Sequence, residues 1–226
     1  MSQPLEHTVY QLRNTPIRRW PFPHFYCSNV FPDDFYSALV ASLPEDEGYE
    51  ALKGGYRHRV AAKEQNALVE PFLSPYFAGH VLGMFGKDFQ ERFPSPGRAG
   101  PPLRSEIRFI RDEEGYAIGP HTDAPHKVVS LLFYLPMDFS DSDCGTSIYV
   151  PDDHQKTCAG GPHHKIEGFT EAFRANFLPN SCFGFWKTPN SWHGVSEISR
   201  KIRRDVMLYN IYTDSESHNG NVQPPG

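Results

Sequence analysis

The sequence has 226 residues, a formal net charge of −5 at pH 7 and 38% hydrophobic residues. This length suits one domain with a hydrophobic core, so we expect a single domain over residues 1–226. An acidic chain offers no broad basic surface for phosphates, which argues against nucleic acid as a partner. The 21 prolines, 18 glycines, 17 phenylalanines and 11 tyrosines favour many short elements, as in antiparallel β proteins.

The first 102 residues are expected to form a helical lead-in. Near the start, HTVYQL predicts a strand. A helix is then predicted with Asp33 or Asp34 as its cap and Pro44 at its end. Its apolar face repeats every four residues: Phe35, Leu39 and Leu43.

A second helix is predicted to begin at Ser74 and Pro75, a good N-cap and first position. Its apolar residues again recur every four positions, with Met84 beside them: Phe77, Val81, Phe85 and Phe89. This amphipathic stripe predicts packing against a sheet. The segment 94–102 is rich in proline and glycine and reads as a linker.

From Leu103 the pattern changes to short runs rich in β-branched and aromatic residues, separated by turn residues: LRSEIRFIRD, KVVSLLFYLP, TSIYVP, SCFGFW and RDVMLYNIY. They predict seven or eight strands over residues 103–214, in a barrel or sandwich that encloses a pocket. EGFTEAFRANF predicts a short helix or an irregular crossover. The segments 45–70 and 152–172 are expected to cover the pocket mouth, and the polar tail 215–226 to be mobile.

The segment GPHTDAP holds the first candidate metal ligands. On an extended strand, His121 and Asp123 project to the same face. An imidazole and a carboxylate together suit divalent iron. Among 11 histidines and 27 acids, about one such pair is expected by chance, so the pair alone is a weak signal. A non-haem iron triad needs a second histidine from a distant strand, and His193, 70 residues after Asp123, is well placed.

Two arginines open the apolar strand DVMLYNIY about ten residues after His193. A cation there can clamp a dicarboxylate, and the Tyr134 hydroxyl can add a hydrogen bond. Arg203 would share its strand face with Asp205, which repels a carboxylate, so we favour Arg204 and keep Arg203 as the alternative.

In this order HTD, FYLP, WHGV and RRDVMLYNIY resemble the 2-oxoglutarate/iron(II) dioxygenase superfamily, most of all its prolyl-hydroxylase-like branch. The opening FPHFYCSNVFPDDFYSALVASLP also resembles that branch, so the resemblance spans nearly the whole chain. It implies a mainly β fold, with a double-stranded β-helix (jelly-roll) core packed on N-terminal helices. It also implies that His121, Asp123 and His193 hold iron. The distal carboxylate of 2-oxoglutarate would be bound by Tyr134 and an arginine after the second histidine.

The resemblance further implies Fe(II), 2-oxoglutarate and O2 as cofactor and cosubstrates. Succinate would form while a C–H bond of a small molecule or a protein side chain is hydroxylated. Two alternatives stay open: a cupin-type metalloenzyme without 2-oxoglutarate, and a non-catalytic jelly-roll binding module. Arg108 is either a substrate-binding residue or part of an exposed ion pair. The remaining histidines near the site are interpreted as rim or solvated loop residues: His126, His154, His163 and His164.

The four cysteines contain no C-x-x-C pair, which disfavours a zinc ribbon. The N-terminal sequence has no apolar stretch of signal-peptide length, and no run approaches a membrane span. We therefore expect reduced cysteines, no membrane association and a cytoplasmic location.

Overall fold

The computed structural model describes residues 3–51, 58–61, 67–94 and 101–213. These ranges contain four α-helices: α1 (Gln3–Arg13), α2 (Asp33–Ala41), α3 (Pro75–Met84) and α4 (Gly86–Arg92). Short 3-10 turns lie at Asp46–Gly48 and Glu70–Leu73. No helix in these ranges is both long and apolar enough to cross a membrane.

The same ranges contain eleven strands, eight of them after residue 102, which confirms the mainly β prediction. In chain order they are β1 (His24–Ser28), β2 (Tyr49–Ala51), β3 (His58–Ala61), β4 (Leu103–Asp112), β5 (Ile118–His121), β6 (Lys127–Tyr134), β7 (Ser147–Pro151), β8 (Phe169–Arg174), β9 (Ser181–Trp186), β10 (His193–Val195) and β11 (Arg204–Thr213).

The strands form two antiparallel sheets. The large sheet has the order β1-β9-β6-β11-β4-β3-β2, and the small sheet has the order β5-β10-β7-β8. At the centre of the large sheet, β11 pairs with β4 along ten residues and with β6 on its other side. Side chains alternate across β11, so Arg204, Val206 and Leu208 share one face and Met207, Tyr209 and Ile211 the other.

The helices cover the outer face of the large sheet. Phe77 of α3 packs edge-on against Tyr209, with ring centroids 5.1 Å apart, and Phe85 contacts Phe25 and Trp186. These contacts confirm the prediction that the apolar stripe packs against a sheet. The stripe is carried by two helices, because the chain turns at Phe85 between α3 and α4. The Ser74 hydroxyl accepts a hydrogen bond from the Phe77 amide, as expected for an N-cap.

Three local predictions are wrong. HTVYQL lies in helix α1, because Leu5, Val9 and Leu12 form one buried helical face that packs in the main core. Helix α2 has Pro32 as its N-cap residue, with Asp33 and Asp34 in the first turn, and it ends at Ala41.

The third wrong prediction is EGFTEAFRANF, which contains strand β8. Pairing with β7 overrides its local sequence signal.

The domain boundary at residue 102 stays a prediction, and the tail 215–226 lies outside the described residues. All four cysteines are free thiols.

Gly184, in the middle of β9, is a site where we expect a large loss of stability. A Cβ atom there would overlap the ring of Phe25 and lie 2.6 Å from a methyl group of Leu131. Gly184→Ala should therefore lower the free energy of unfolding by about 1–3 kcal/mol, as overpacked cores do. Gly79→Ala is the matched control, since open space surrounds that helical glycine and alanine is the better helix former. Urea unfolding would measure the free energy of unfolding of both variants. Equal changes in the two variants would contradict the close packing assigned to Gly184.

Candidate active site

His121 and His193 meet where two strands of the small sheet pair. His121 ends β5, His193 begins β10, and the two residues are direct cross-strand partners with ring centroids 4.2 Å apart. Asp123 lies beyond the end of β5, outside any strand, with a left-handed backbone (φ 66°). The expected extended strand through Asp123 is therefore wrong, and this conformation brings its carboxylate back beside the two rings.

One ligand atom from each of the three residues lies within 4.8 Å of the others. Asp123 Oδ1 is 3.7 Å from His121 Nε2, and Asp123 Oδ2 is 3.6 Å from His193 Nε2. The Nδ1 atoms are within hydrogen-bond distance of backbone carbonyls, at 3.0 Å from Gly119 O and 2.8 Å from Ser191 O. Donation from Nδ1 fixes the tautomer that leaves both Nε2 lone pairs free for a ligand.

The charge states of the three side chains suit a divalent cation. Burial lowers the pKa of His121 to about 3, with repulsion from His193 acting in the same direction. Burial also lowers the pKa of His193. For Asp123, burial opposes ionisation, but Lys127 and the two histidines outweigh it and hold the pKa well below its usual value. Two neutral imidazoles and one carboxylate are the ligand set that these states provide.

Acidification from pH 7 to pH 4 is expected to destabilise the metal-free protein. In the unfolded chain His121 takes up a proton near pH 6.5, whereas in the folded protein it stays neutral down to about pH 3. The unfolded state therefore binds more protons in this window, which costs up to about 1.4 kcal/mol per pH unit. Urea unfolding at several pH values measures the slope. His121→Asn should make it shallower, and an unchanged slope would contradict the pKa assigned to His121.

Both oxygens of Asp123 have polar partners on β6. Lys127 Nζ lies 3.0 Å from Oδ1, and the Ser130 hydroxyl lies 3.3 Å from Oδ2 and 2.9 Å from Oδ1 of Asn210. These residues restrain the carboxylate. Sequence reasoning missed them. The sequence feature that could have indicated a polar contact was Ser130, a serine inside the apolar run KVVSLLFY.

The three side chains open into a cavity of about 170 Å³ that lies between the sheets and reaches Arg204. Arg204 is almost fully buried; its Nε donates to the carbonyl oxygen of Cys144 (2.6 Å) and its Nη1 donates to Asp112. Its Nη2 is buried without a hydrogen-bond partner among the described residues. Most of the remaining wall is apolar: Ile110, Tyr116, Ile118, Leu132, Phe185, Val195, Val206 and Leu208.

Arg203 immediately precedes β11 and contacts Asp205, on the face of the strand away from this cavity. Its side chain is 44% exposed and donates to Asp205, as the parity of the strand requires. Tyr134 packs near Arg204, whose guanidinium carbon is 5.8 Å from the ring, but Tyr134 does not line the cavity. Its hydroxyl donates to Thr146 Oγ1 (2.9 Å) and accepts from the Thr146 amide (3.0 Å). Thr146 is the residue of this pair that faces the cavity.

The 152–168 segment packs against the back of the histidine pair. The His164 amide donates to Pro120 O (2.9 Å), and the Thr122 hydroxyl donates to Cys158 O (2.8 Å). The ring of His163 lies 4.6 Å from that of His121. His163 is exposed, as predicted for a solvated loop, whereas His164 is half-buried, and neither belongs to the three-residue group.

The other residues named from the sequence lie outside the cavity wall. His126 stacks on Tyr212, with ring centroids 5.3 Å apart. Arg108 forms an ion pair with Glu106. An exposed ion pair was one of the two interpretations of Arg108 from the sequence. His154 is exposed.

Neither protein-family models nor curated protein sequences give a match to this chain. Solved structures do match it. A prolyl-4-hydroxylase from Pseudomonas putida covers 93% of this chain and 100% of its own, with 14% identity and a TM-score of 0.57. A Trichoplax adhaerens prolyl hydroxylase, in complex with a hypoxia inducible factor peptide fragment, covers 93% and 89%, with 12% identity and a TM-score of 0.54.

The epimerase SnoN, in complex with Fe3+, alpha ketoglutarate and nogalamycin RO, covers 98% of this chain and 93% of its own, with 13% identity and a TM-score of 0.54. Alpha ketoglutarate is another name for 2-oxoglutarate. The fold of this chain is therefore the double-stranded β-helix that these solved structures share, as the resemblance in the sequence implied.

Proposed function

We propose that this protein is an Fe(II)- and 2-oxoglutarate-dependent dioxygenase that hydroxylates a C–H bond of a small molecule or a protein side chain. One observation carries the proposal. A two-histidine, one-carboxylate group shares a cavity with Arg204, one of whose guanidinium nitrogens has no hydrogen-bond partner among the described residues. A site that binds only a metal ion does not require a guanidinium nitrogen beside it. A cupin-type enzyme and a non-catalytic binding module are therefore weaker alternatives than a 2-oxoglutarate-dependent enzyme.

The residues present fit iron. Two imidazole nitrogens with their lone pairs directed inward and one ionised carboxylate form the donor set that non-haem Fe(II) takes, and such a set leaves positions for other ligands. We assign His121, Asp123 and His193 as the ligands. Iron held there supplies the redox chemistry that couples oxidative decarboxylation of 2-oxoglutarate by O2 to oxidation of the substrate.

The residues of the chain itself bind and orient the cosubstrate. Arg204 Nη2 is placed to donate to the distal carboxylate, and Thr146 adds a hydroxyl in the same wall. We retain Tyr134 as an indirect contributor, because its hydrogen bonds fix Thr146. The apolar walls exclude water, which strengthens the charge-assisted hydrogen bond and protects the reaction from solvent.

The substrate is proposed as a class only. The similar Trichoplax adhaerens enzyme is seen with a peptide and SnoN with nogalamycin RO, so both peptidyl and small-molecule substrates occur on this fold.

The test is formation of succinate. Purified protein given Fe(II), 2-oxoglutarate and O2 should release succinate, slowly alone and faster with a substrate from a panel of prolyl peptides, amino acids and small metabolites. Mass spectrometry measures succinate and any product heavier by one oxygen atom. The control omits O2 or Fe(II) and should give none. No succinate from protein shown to contain Fe(II) would contradict the proposal.

A further inference from the structure

The cavity that is proposed to bind a dianion already contains an acidic side chain. Asp112 lines the cavity, and its carboxylate accepts a hydrogen bond from Arg204 Nη1. The side chains are 1% and 3% exposed, so the two charges are held almost entirely away from water. A carboxylate that binds at Nη2 therefore meets an ion pair and not an isolated cation.

The sheet register produces this pair. Arg204 and Asp112 are direct cross-strand partners on β11 and β4, and the next register position joins Asp205 to Arg111. The second pair points to the opposite face. All three guanidinium nitrogens of Arg111 are hydrogen-bonded there, to Asp205, Asp46 and the carbonyl oxygen of Pro44. Of the two neighbouring buried arginines, only Arg204 lines the cavity and keeps a guanidinium nitrogen without a hydrogen-bond partner among the described residues.

We propose that Asp112 is a resident counterion that stabilises the empty cavity and weakens binding of 2-oxoglutarate. A buried guanidinium without a counterion is strongly unfavourable, so the ligand-free protein needs Asp112. Once the distal carboxylate of the cosubstrate arrives, Arg204 has two counterions, and the two carboxylates repel each other. Asp112 also orients the guanidinium, which makes it a positioning residue. The inference rests on the function proposed above.

The decisive variant is Asp112→Asn, which keeps an oxygen for the Arg204 hydrogen bond and removes the charge. Protein loaded with Mn(II) under nitrogen is titrated with 2-oxoglutarate by calorimetry. The variant should bind 2-oxoglutarate about tenfold more tightly or better, because a like charge has been removed from a desolvated site. Its Tm without ligand should fall, and the rise of Tm on adding 2-oxoglutarate should exceed that of the wild type.

Asp205→Asn is the matched control. It removes the charge from the neighbouring buried pair on the face away from the cavity. It should lower Tm in the same way, with unchanged affinity for 2-oxoglutarate. A second probe is 2-oxobutyrate, which lacks the distal carboxylate, and its affinity should be the same in wild type and Asp112→Asn. Tighter binding of both 2-oxo acids, or unchanged or weaker binding of 2-oxoglutarate to Asp112→Asn, would overturn the inference.

A second pair of variants tests the counterion if Asp112→Asn does not fold alone. Arg204→Met removes the cation that donates to Asp112 in the buried pair and should lower Tm. Adding Asp112→Asn to it should restore Tm, and no restoration would overturn the inference. This measurement needs no ligand, so it remains decisive even if wild-type protein with bound metal fails to bind 2-oxoglutarate, an outcome that would contradict the proposed function.

Discussion

Replacement of His193 by alanine is expected to abolish tight binding of Fe(II). The side chain provides one of three ligand atoms that lie within 4.8 Å of one another, and the two that remain are too few to hold the ion. Loss of an outer-shell partner alone costs about 10–100-fold in metal affinity, so loss of a direct ligand should cost more than about 100-fold. His121→Ala and Asp123→Ala should behave alike. Anaerobic titration with Fe(II), with metal content after dialysis, measures the effect.

The control for this series is the double variant His163→Ala with His164→Ala. Both residues lie beside the site, and the His163 ring packs on His121, but neither is within the three-ligand group. Metal content should therefore be retained. Iron retained by His193→Ala would remove His193 from the proposed ligand set. Iron lost from the control would contradict the exclusion of His163 and His164 from the site.

Replacement of Arg204 by methionine is expected to remove most of the affinity for 2-oxoglutarate while iron remains bound. Methionine keeps an apolar stem in the cavity wall and deletes the only lining guanidinium among the described residues. Loss of a desolvated charged partner costs roughly 2–5 kcal/mol, a fall in affinity of at least about 30-fold. The visible absorption band that 2-oxoglutarate gives with protein-bound Fe(II) under nitrogen measures this affinity.

Arg203→Met is the matched control, because this neighbour precedes β11, has a partly exposed side chain and donates to Asp205 away from the cavity. Its affinity for 2-oxoglutarate should equal that of the wild type. A larger loss of 2-oxoglutarate affinity with Arg203→Met than with Arg204→Met would indicate that Arg203 binds the distal carboxylate and would contradict the assignment of Arg204.

The strands of the core were predictable because their signals are local. LRSEIRFIRD coincides with β4, and the long runs of β6 and β11 show the same enrichment in β-branched and aromatic residues. Helix α1 was mistaken for a strand, because HTVYQL is short and its helical face becomes clear only when Leu5 is included. Strand β8 depends on its partner β7, which no local pattern reveals.

The candidate site divides in the same way. Alternation along a strand was enough to separate Arg204 from Arg203, since the two residues must face opposite sides. The positive φ of Asp123 was not predictable, because it belongs to a loop whose shape depends on tertiary contacts. Asp112 ends β4 and Thr146 immediately precedes β7, both far from Arg204 in the sequence, and only the assembled sheets bring them to the same cavity.

The attachment of the 152–168 segment has a consequence for protein engineering. The segment is held to the histidine pair through its own main-chain atoms: the His164 amide, the Cys158 amide and carbonyl, and the Ala159 carbonyl, which accepts from Lys187. Main-chain anchors do not depend on side-chain identity, while Lys165 and Ile166 project into solvent. Libraries that randomise these two positions should therefore yield folded, metal-binding proteins, so sequence changes in this part of the segment can be made without loss of the metal site.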